Sequence, residues 1–181
     1  MVNIPTGGSY YLGNFGDYWG IEAVESLLNH ITQKKKYQRI VGVGSSKGGT
    51  AALIFGLEMQ FDDIIIGACQ YRIGSYLNCS YHYKTLQALT GMDTVSDEVI
   101  KKLDGITKNI IIQNRKSSTE VWFHYSTEEH TYKEQIKDLL KDLHENEYIL
   151  HEDVAKYVEH SDVSKHFPAF LLKTLDSLLK K

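Results

Sequence analysis

The stretch that decides the fold is Arg39-Ile40-Val41-Gly42-Val43-Gly44-Ser45-Ser46-Lys47-Gly48-Gly49-Thr50-Ala51-Ala52-Leu53. Its first part, Arg39 to Val43, is a short apolar run ending in glycine, as a buried strand of a parallel sheet requires. Its last part opens a helix, Thr50 to Met59, that puts small residues first and larger ones after. Between them, Gly44-Ser45-Ser46-Lys47-Gly48 matches G-x-S-x-G in the strand–turn–helix setting of a nucleophile elbow. Such a turn holds its central serine in a strained backbone conformation, so the residues two before and two after it are expected to be small. Gly44 and Gly48 fill those places, with Gly49 beside them. The Ser46 hydroxyl then stands at the N-terminus of the next helix, where the dipole and free N–H groups favour developing negative charge. The N–H of Lys47 is the expected oxyanion donor.

A glycine-rich turn between strand and helix also serves phosphate binders, and two tests weigh against that use. A Walker A loop needs Gly-Lys-Ser or Gly-Lys-Thr at its end, whereas here the lysine precedes the paired glycines. The dinucleotide fingerprint fails at its third glycine, where Lys47 stands after Gly42 and Gly44. No cofactor is expected.

Outward from this turn, strand and helix alternate. Ile21 to Thr32 has helical periodicity, with Ile21, Val24, Leu27, Leu28 and Ile31 on one face. Lys34-Lys35-Lys36 follows it and suits the negative end of a helix dipole. Ile64-Ile65-Ile66 is the next buried strand, Val121 to Tyr125 another and Tyr148 to His151 the last. Tyr132 to Leu143 and Phe167 to Leu179 read as helices with one apolar face. Tyr71 to Lys116 is less regular and holds two helices, one from Tyr83 to Leu89 ending at Gly91, the other capped by Ser96. Met1 to Asp17 reads as a short strand followed by a loop. The pattern predicts an α/β fold, a three-layer α/β/α sandwich with a mostly parallel sheet. It is expected to form a single domain over 1–181, with a lid-like insertion around 71–116.

A serine needs a base, and the base an orienting acid. In an α/β-hydrolase the chain order is serine, acid, histidine. The acid should follow the second strand beyond the elbow, and the loop after Val121 to Tyr125 reads Ser126-Thr127-Glu128-Glu129-His130. Glu129 is preferred, some four residues past the strand, with Glu128 the alternative. Both could equally be solvated first-turn acids of the following helix. The base should follow the last strand and precede the last helix, which selects His160 over His166. His124, Glu128, Glu129 and His130 are clustered, but no HExxH or other ligand spacing marks a metal site.

Composition narrows the class. At 42% apolar and 24% charged residues the chain is an ordinary globular protein. With 20 basic against 23 acidic side chains and no concentrated basic patch, nucleic acid is not an expected partner. No apolar run reaches the roughly 20 residues of a membrane-spanning helix, and no signal peptide opens the chain, so a cytoplasmic location is expected. Cys69 and Cys79 lack zinc or disulfide spacing. The opening Val2-Asn3-Ile4-Pro5 suits an interior strand end as well as a true start, which is compatible with one domain of a longer protein.

The string Gly44-Ser45-Ser46-Lys47-Gly48-Gly49, followed by Ala51-Ala52-Leu53 and Gly56-Leu57, resembles α/β-hydrolase-like proteins of bacterial surface-glycan biology. Among these are accessory Sec system proteins that acetylate glycans on exported adhesins, and capsule-biosynthesis proteins with the same Ser-Lys-Gly-Gly elbow. The resemblance extends through Gly67 to Leu77, Tyr125-Ser126 with Glu129 and Tyr132, and Tyr157 to Phe170. It implies a triad of Ser46, Glu129 and His160. It also implies a serine esterase or O-acyltransferase working on a carbohydrate or small ester, with protein partners in a glycan-assembly complex. The other function it allows is a non-catalytic interaction module in glycan assembly or export. The chain departs from a full α/β-hydrolase in lacking most of the strands expected before Ile21, so this is a minimal, truncated version. The second oxyanion donor should come from Gly7 to Tyr11, with no single residue distinguished. Tyr10, Tyr11, Tyr18, Trp19, Tyr71, Tyr76, Tyr81 and Tyr83 suit sugar stacking, or else packing of lid and core.

Overall fold

The structure is a computed structural model describing residues 10–13, 16–17, 19–115 and 117–180. In chain order its elements are α1 (Trp19–Gln33), β1 (Val41–Ser45), α2 (Lys47–Glu58), β2 (Asp63–Gly67), α3 (Ile73–Leu77), α4 (Tyr83–Thr90), α5 (Asp97–Gln113), β3 (Glu120–Ser126), α6 (Lys137–Glu145), β4 (Ile149–Ala155) and α7 (Val163–Leu178). A π turn, Tyr132–Ile136, leads into α6, and a short 3₁₀ turn, His160–Asp162, leads into α7. The strand expected in Met1 to Asp17 falls mostly outside the described residues. No helix among the described residues is long and apolar enough to cross a membrane.

The chain forms two compact units, one of residues Met1–Gln38 with Arg72–Ile106, the other of Arg39–Tyr71 with Thr107–Lys181. In the first, Leu77, Leu86, Leu89 and Leu103 are buried. α3 and α5 meet closely at Gly74, where a Cβ would lie 2.3 Å from the Ile100 carbonyl oxygen. Tyr83 packs inward, its hydroxyl accepting the Val95 N–H at 3.1 Å, while Tyr11, Trp19 and Tyr81 are exposed. Tyr18 lies outside the described residues.

The second unit carries the sheet, four parallel strands in the order β1-β2-β3-β4. Strand β2 is buried along its whole length, which is why Ile64-Ile65-Ile66 runs on without polar alternation. Each of these isoleucines contributes about 1.5–3 kcal/mol by leaving water. Asp63 begins that strand fully buried, but its carboxylate is bonded by the Arg39 guanidinium and by Trp122 Nε1–H at 3.0 Å. Side chains alternate between the two faces. On one face Ile65 joins Tyr157, Val163, Phe167 and Leu178 in a cluster around α7, with Val41 and Trp122 packed against it. On the other, α2 presses so close that a Cβ on Gly56 would meet Ile64 at 2.6 Å. The π turn before α6 lies on that second face, since Tyr132 stacks on Tyr125 of β3 with ring centres 5.9 Å apart. The unit is therefore a three-layer α/β/α arrangement, and the carboxyl ends of its strands point to one rim.

Candidate active site

Strand β1 delivers Ser46 to that rim. The residue adopts φ 52° and ψ −128° between β1 and α2, a left-handed strain that non-glycine residues hold only where their surroundings impose it. Two bonds impose it here. The Ser46 N–H donates to Gly67 O at 2.7 Å, extending the β1–β2 ladder by one residue, and its carbonyl accepts the Thr50 N–H at 3.1 Å.

The steric requirement is distributed differently from the expectation drawn from the motif. A Cβ on Gly44 would lie 2.1 Å from Gly48 O, and one on Gly49 would lie 2.9 Å from Cys69 Cβ. A Cβ on Gly48 would meet nothing within 4 Å. Gly44 and Gly49 are the glycines the turn needs; Gly48 contributes its backbone, to which Gly44 closes.

Two loops further along the rim bring the partners. The Ser46 hydroxyl lies 2.8 Å from His160 Nε2, and His160 Nδ1 is hydrogen-bonded to Glu129 Oε1. Glu129 is buried while Glu128, one residue earlier, is exposed. Of the two glutamates, the structure brings Glu129 to the histidine. His166 is exposed in the first turns of α7 and stacks on Tyr157. Lys47 is the first residue of α2, directly after Ser46. Of the stretch Gly7 to Tyr11, residues 7–9 lie outside the described residues.

Several residues that hold this arrangement were not singled out from sequence. Thr131 Oγ1–H donates to Glu129 Oε1 at 2.6 Å. Ser126, fully buried at the end of β3, ties the acid loop to the histidine loop. Its hydroxyl donates to Tyr157 O at 2.7 Å and accepts the N–H groups of Tyr157 and Glu128, each at 3.1 Å. Its signal was present, since a serine right at the end of a strand commonly bonds the backbone of the turn that follows. Glu129 Oε2 and the Tyr157 hydroxyl are both buried, and by strict geometry neither has a hydrogen-bond partner among the described residues. The Tyr157 hydroxyl is pushed up from its ordinary pKa, first by burial and then by the negative charge of Glu129. Behind the elbow, burial pushes the Cys69 thiol up to about 12, so it stays protonated and unreactive.

A serine hydroxyl on an imidazole, with a buried carboxylate on the far ring nitrogen, can shuttle a proton during nucleophilic attack. Such a constellation is compatible with acyl transfer to water or to another hydroxyl.

No protein-family model matches the chain, and no curated protein sequence matches it significantly. Solved structures do. The capsule O-acetyltransferase of Neisseria meningitidis serogroup A superposes with a TM-score of 0.75 at 18% identity, over 93% of this chain and 69% of that one. A chain of the Glycosylation Associate Protein complex from Streptococcus agalactiae gives 0.79 at 16% identity, over 97% of this chain and 35% of that one. The fluorophosphonate-binding serine hydrolase F of Staphylococcus aureus gives 0.64 at 12% identity, over 90% of this chain and 65% of that one. At such identities the likeness speaks for the fold: this chain has the α/β-hydrolase-like fold that these acyltransferase, glycosylation-associated and serine hydrolase structures share.

Proposed function

We propose that this protein is a serine esterase or O-acyltransferase that works through an acyl-enzyme on Ser46, with His160 as base and Glu129 as the acid that orients it. The observation that carries this reading is the 2.8 Å approach of His160 Nε2 to Ser46 Oγ, with Glu129 bonded to the other ring nitrogen. Ser46 Oγ attacks the carbonyl carbon of an acyl ester as its proton passes to His160 Nε2. The negative charge that develops on the carbonyl oxygen falls at the N-terminus of α2, where we assign the Lys47 N–H as a donor. As the intermediate collapses, the ester C–O bond breaks and the leaving alkoxide takes the proton from His160. Water or an acceptor hydroxyl then gives its proton to His160, attacks the acyl-enzyme and releases Ser46. Glu129, bonded to Nδ1, holds the ring in the orientation and tautomer that both halves need and offsets the imidazolium charge.

The likeness to the Neisseria capsule O-acetyltransferase supports a carbohydrate or a small ester as substrate. The likeness to the Streptococcus complex supports a second reading, a non-catalytic module with protein partners in glycan assembly. A fluorophosphonate probe separates the two. We expect covalent labelling at Ser46, abolished in Ser46→Ala and much slowed in His160→Ala. A folded protein that takes no label would overturn the enzymatic reading and leave the second.

A further inference from the structure

The proton inventory at Ser46 involves a fourth side chain. A hydroxyl has one hydrogen to give and two lone pairs to receive. Besides His160, the Ser46 oxygen is met by Gln70 Nε2 at 3.0 Å. Gln70 is only 2% exposed, and its route to Ser46 is built by the exit of β2. There Ala68 turns the chain at φ 40°, with its N–H on His124 O at 2.9 Å. Cys69 then packs against Gly49. Gln70 itself is clamped by the fully buried Thr50: its N–H donates to Thr50 Oγ1 at 3.0 Å, and that hydroxyl donates to Gln70 O at 2.7 Å. Because Thr50 N–H also bonds Ser46 O, one residue fixes the backbones of both serine and glutamine.

We infer that Gln70 is a further catalytic residue, whose side-chain amide donates a hydrogen bond to the Ser46 oxygen and stabilises the charge that gathers on that oxygen during acyl transfer. The inference rests on the proposed serine nucleophile and concerns what else acts on it. With one lone pair of Oγ occupied by the amide N–H, the hydroxyl hydrogen is directed to His160 Nε2, and the remaining lone pair is left for attack. As the O–H proton passes to His160, partial negative charge grows on Oγ, and the amide N–H stabilises it. In the acyl-enzyme Oγ is an ester oxygen, a poor acceptor, and the bond weakens. When water or an acceptor hydroxyl attacks, Oγ departs as an incipient alkoxide that recovers its proton from His160, and the same N–H stabilises it again. The contribution therefore falls on both acylation and deacylation, and on the chemical step rather than on binding.

Two variants keep the backbone clamp and the volume while removing the donor: Gln70→Met offers no polar atom, and Gln70→Glu presents an oxygen in place of the N–H. The rate constant for phosphonylation of Ser46 at saturating fluorophosphonate should fall about 10- to 100-fold in Gln70→Met, the range for one hydrogen bond to a developing charge. The fall should be at least as large in Gln70→Glu, with the half-saturating probe concentration and the urea midpoint of Gln70→Met close to those of the parent. Unchanged rates in both variants, with the parent labelled at Ser46, would overturn the inference and leave the serine hydrolase reading standing. Faster labelling of Gln70→Met would overturn it too, since the glutamine would then be taking the hydroxyl hydrogen away from His160. A parent protein that takes no label removes the nucleophile on which both depend. Should Gln70→Met fail to fold, the Gln70→Glu rate and a burst assay on an activated ester, in which deacylation must slow as well, decide the matter.

Discussion

The elbow makes its sharpest prediction at two glycines that the motif treats alike. A Cβ on Gly44 would lie 2.1 Å from Gly48 O, 2.3 Å from Gly48 C and 2.7 Å from Gly49 N, where ordinary contact begins at 3.4 Å. All three obstacles are backbone of the first turn of α2, so no rotamer change relieves them. Gly44→Ala must push β1 and α2 apart by about 1.3 Å, the shortfall between 2.1 and 3.4 Å. Overpacking of this kind costs about 1–3 kcal/mol, which at an ordinary urea dependence lowers the midpoint by about 1 M. The same opening displaces Ser46 from His160, and a misplacement of about 1 Å costs about 10²-fold in rate. A Cβ on Gly48 meets nothing within 4 Å, so Gly48→Ala should be neutral or gain up to about 1 kcal/mol from reduced freedom of the unfolded chain. The assay is urea denaturation of both variants beside the rate of fluorophosphonate labelling. If Gly44→Ala matches the parent in midpoint and rate, or if Gly48→Ala is as damaging as Gly44→Ala, the steric account of the turn is wrong.

Other consequences are checked with the same two measurements. Ser126→Ala strips partners from the Tyr157 N–H and carbonyl and from the Glu128 N–H; it should cost about 1–3 kcal/mol and slow labelling, and an unchanged urea midpoint would refute the tie between the two loops. Glu129→Gln should slow labelling by about 10²–10⁴-fold, as loss of the acid does in other serine triads, while Glu128→Gln, on an exposed residue, should stay within about twofold; equal effects would refute the assignment of the acid. Burial raises the Cys69 thiol from an ordinary 9.0 to about 12, so its contribution to stability is fully present below pH 9 and is lost as pH rises toward 12. At pH 10 the unfolded thiol is ionised and the folded one is not, a loss on the order of 1 kcal/mol. Between pH 8 and 10 the parent should therefore lose more stability than Cys69→Ala by about that amount, and a constant gap between the two would refute it.

The parallel sheet was legible because its central strands are buried on both faces, which leaves uninterrupted apolar runs such as Ile64-Ile65-Ile66. Edges were harder. β4 was expected to end at His151 but continues to Ala155, because His151-Glu152-Asp153 reads as polar loop. In place, those side chains are absorbed by partners: His151 stacks on Trp122 and bonds Glu120, Asp153 bonds His124, and Glu152 accepts the Tyr125 hydroxyl. α7 begins at Val163, four residues ahead of the expected start, since its first turn is mostly polar and exposed and Pro168 interrupts the pattern. α3 spans five residues, too few for a helical period to show. The π turn before α6 has no periodic signature. Within it Gln135 Oε1 accepts the Tyr71 N–H at 2.9 Å, a contact with a distant part of the chain.

Whether a side chain near the site could be read from sequence depended on what fixes it. Ser46 is announced by the glycine that its own turn requires, and His160 by the order of strands, so both are written in local spacing and topology. Distance past the strand and the resemblance favour Glu129 over Glu128, but the burial of Glu129 and its bonds to His160 and Thr131 exist only once the loop is folded. Gln70 is a step further removed. The resemblance covers Gly67 to Leu77, and Tyr71 beside it suits sugar stacking or packing, but no motif marks Gln70 itself. Its placement follows from a left-handed turn at Ala68 and a clamp from Thr50, a residue on another element. Thr50 is three residues along α2 from Lys47 and would pass for an ordinary member of the first turn. Its hydroxyl is spent on Gln70, and its N–H on Ser46. The elbow thus fixes the serine through its glycines and the amide facing that serine through a threonine hydroxyl. Thr50→Val, which keeps the N–H on Ser46 O and loses the clamp on Gln70, should therefore slow fluorophosphonate labelling about as Gln70→Met does, and a parental rate would refute the clamp.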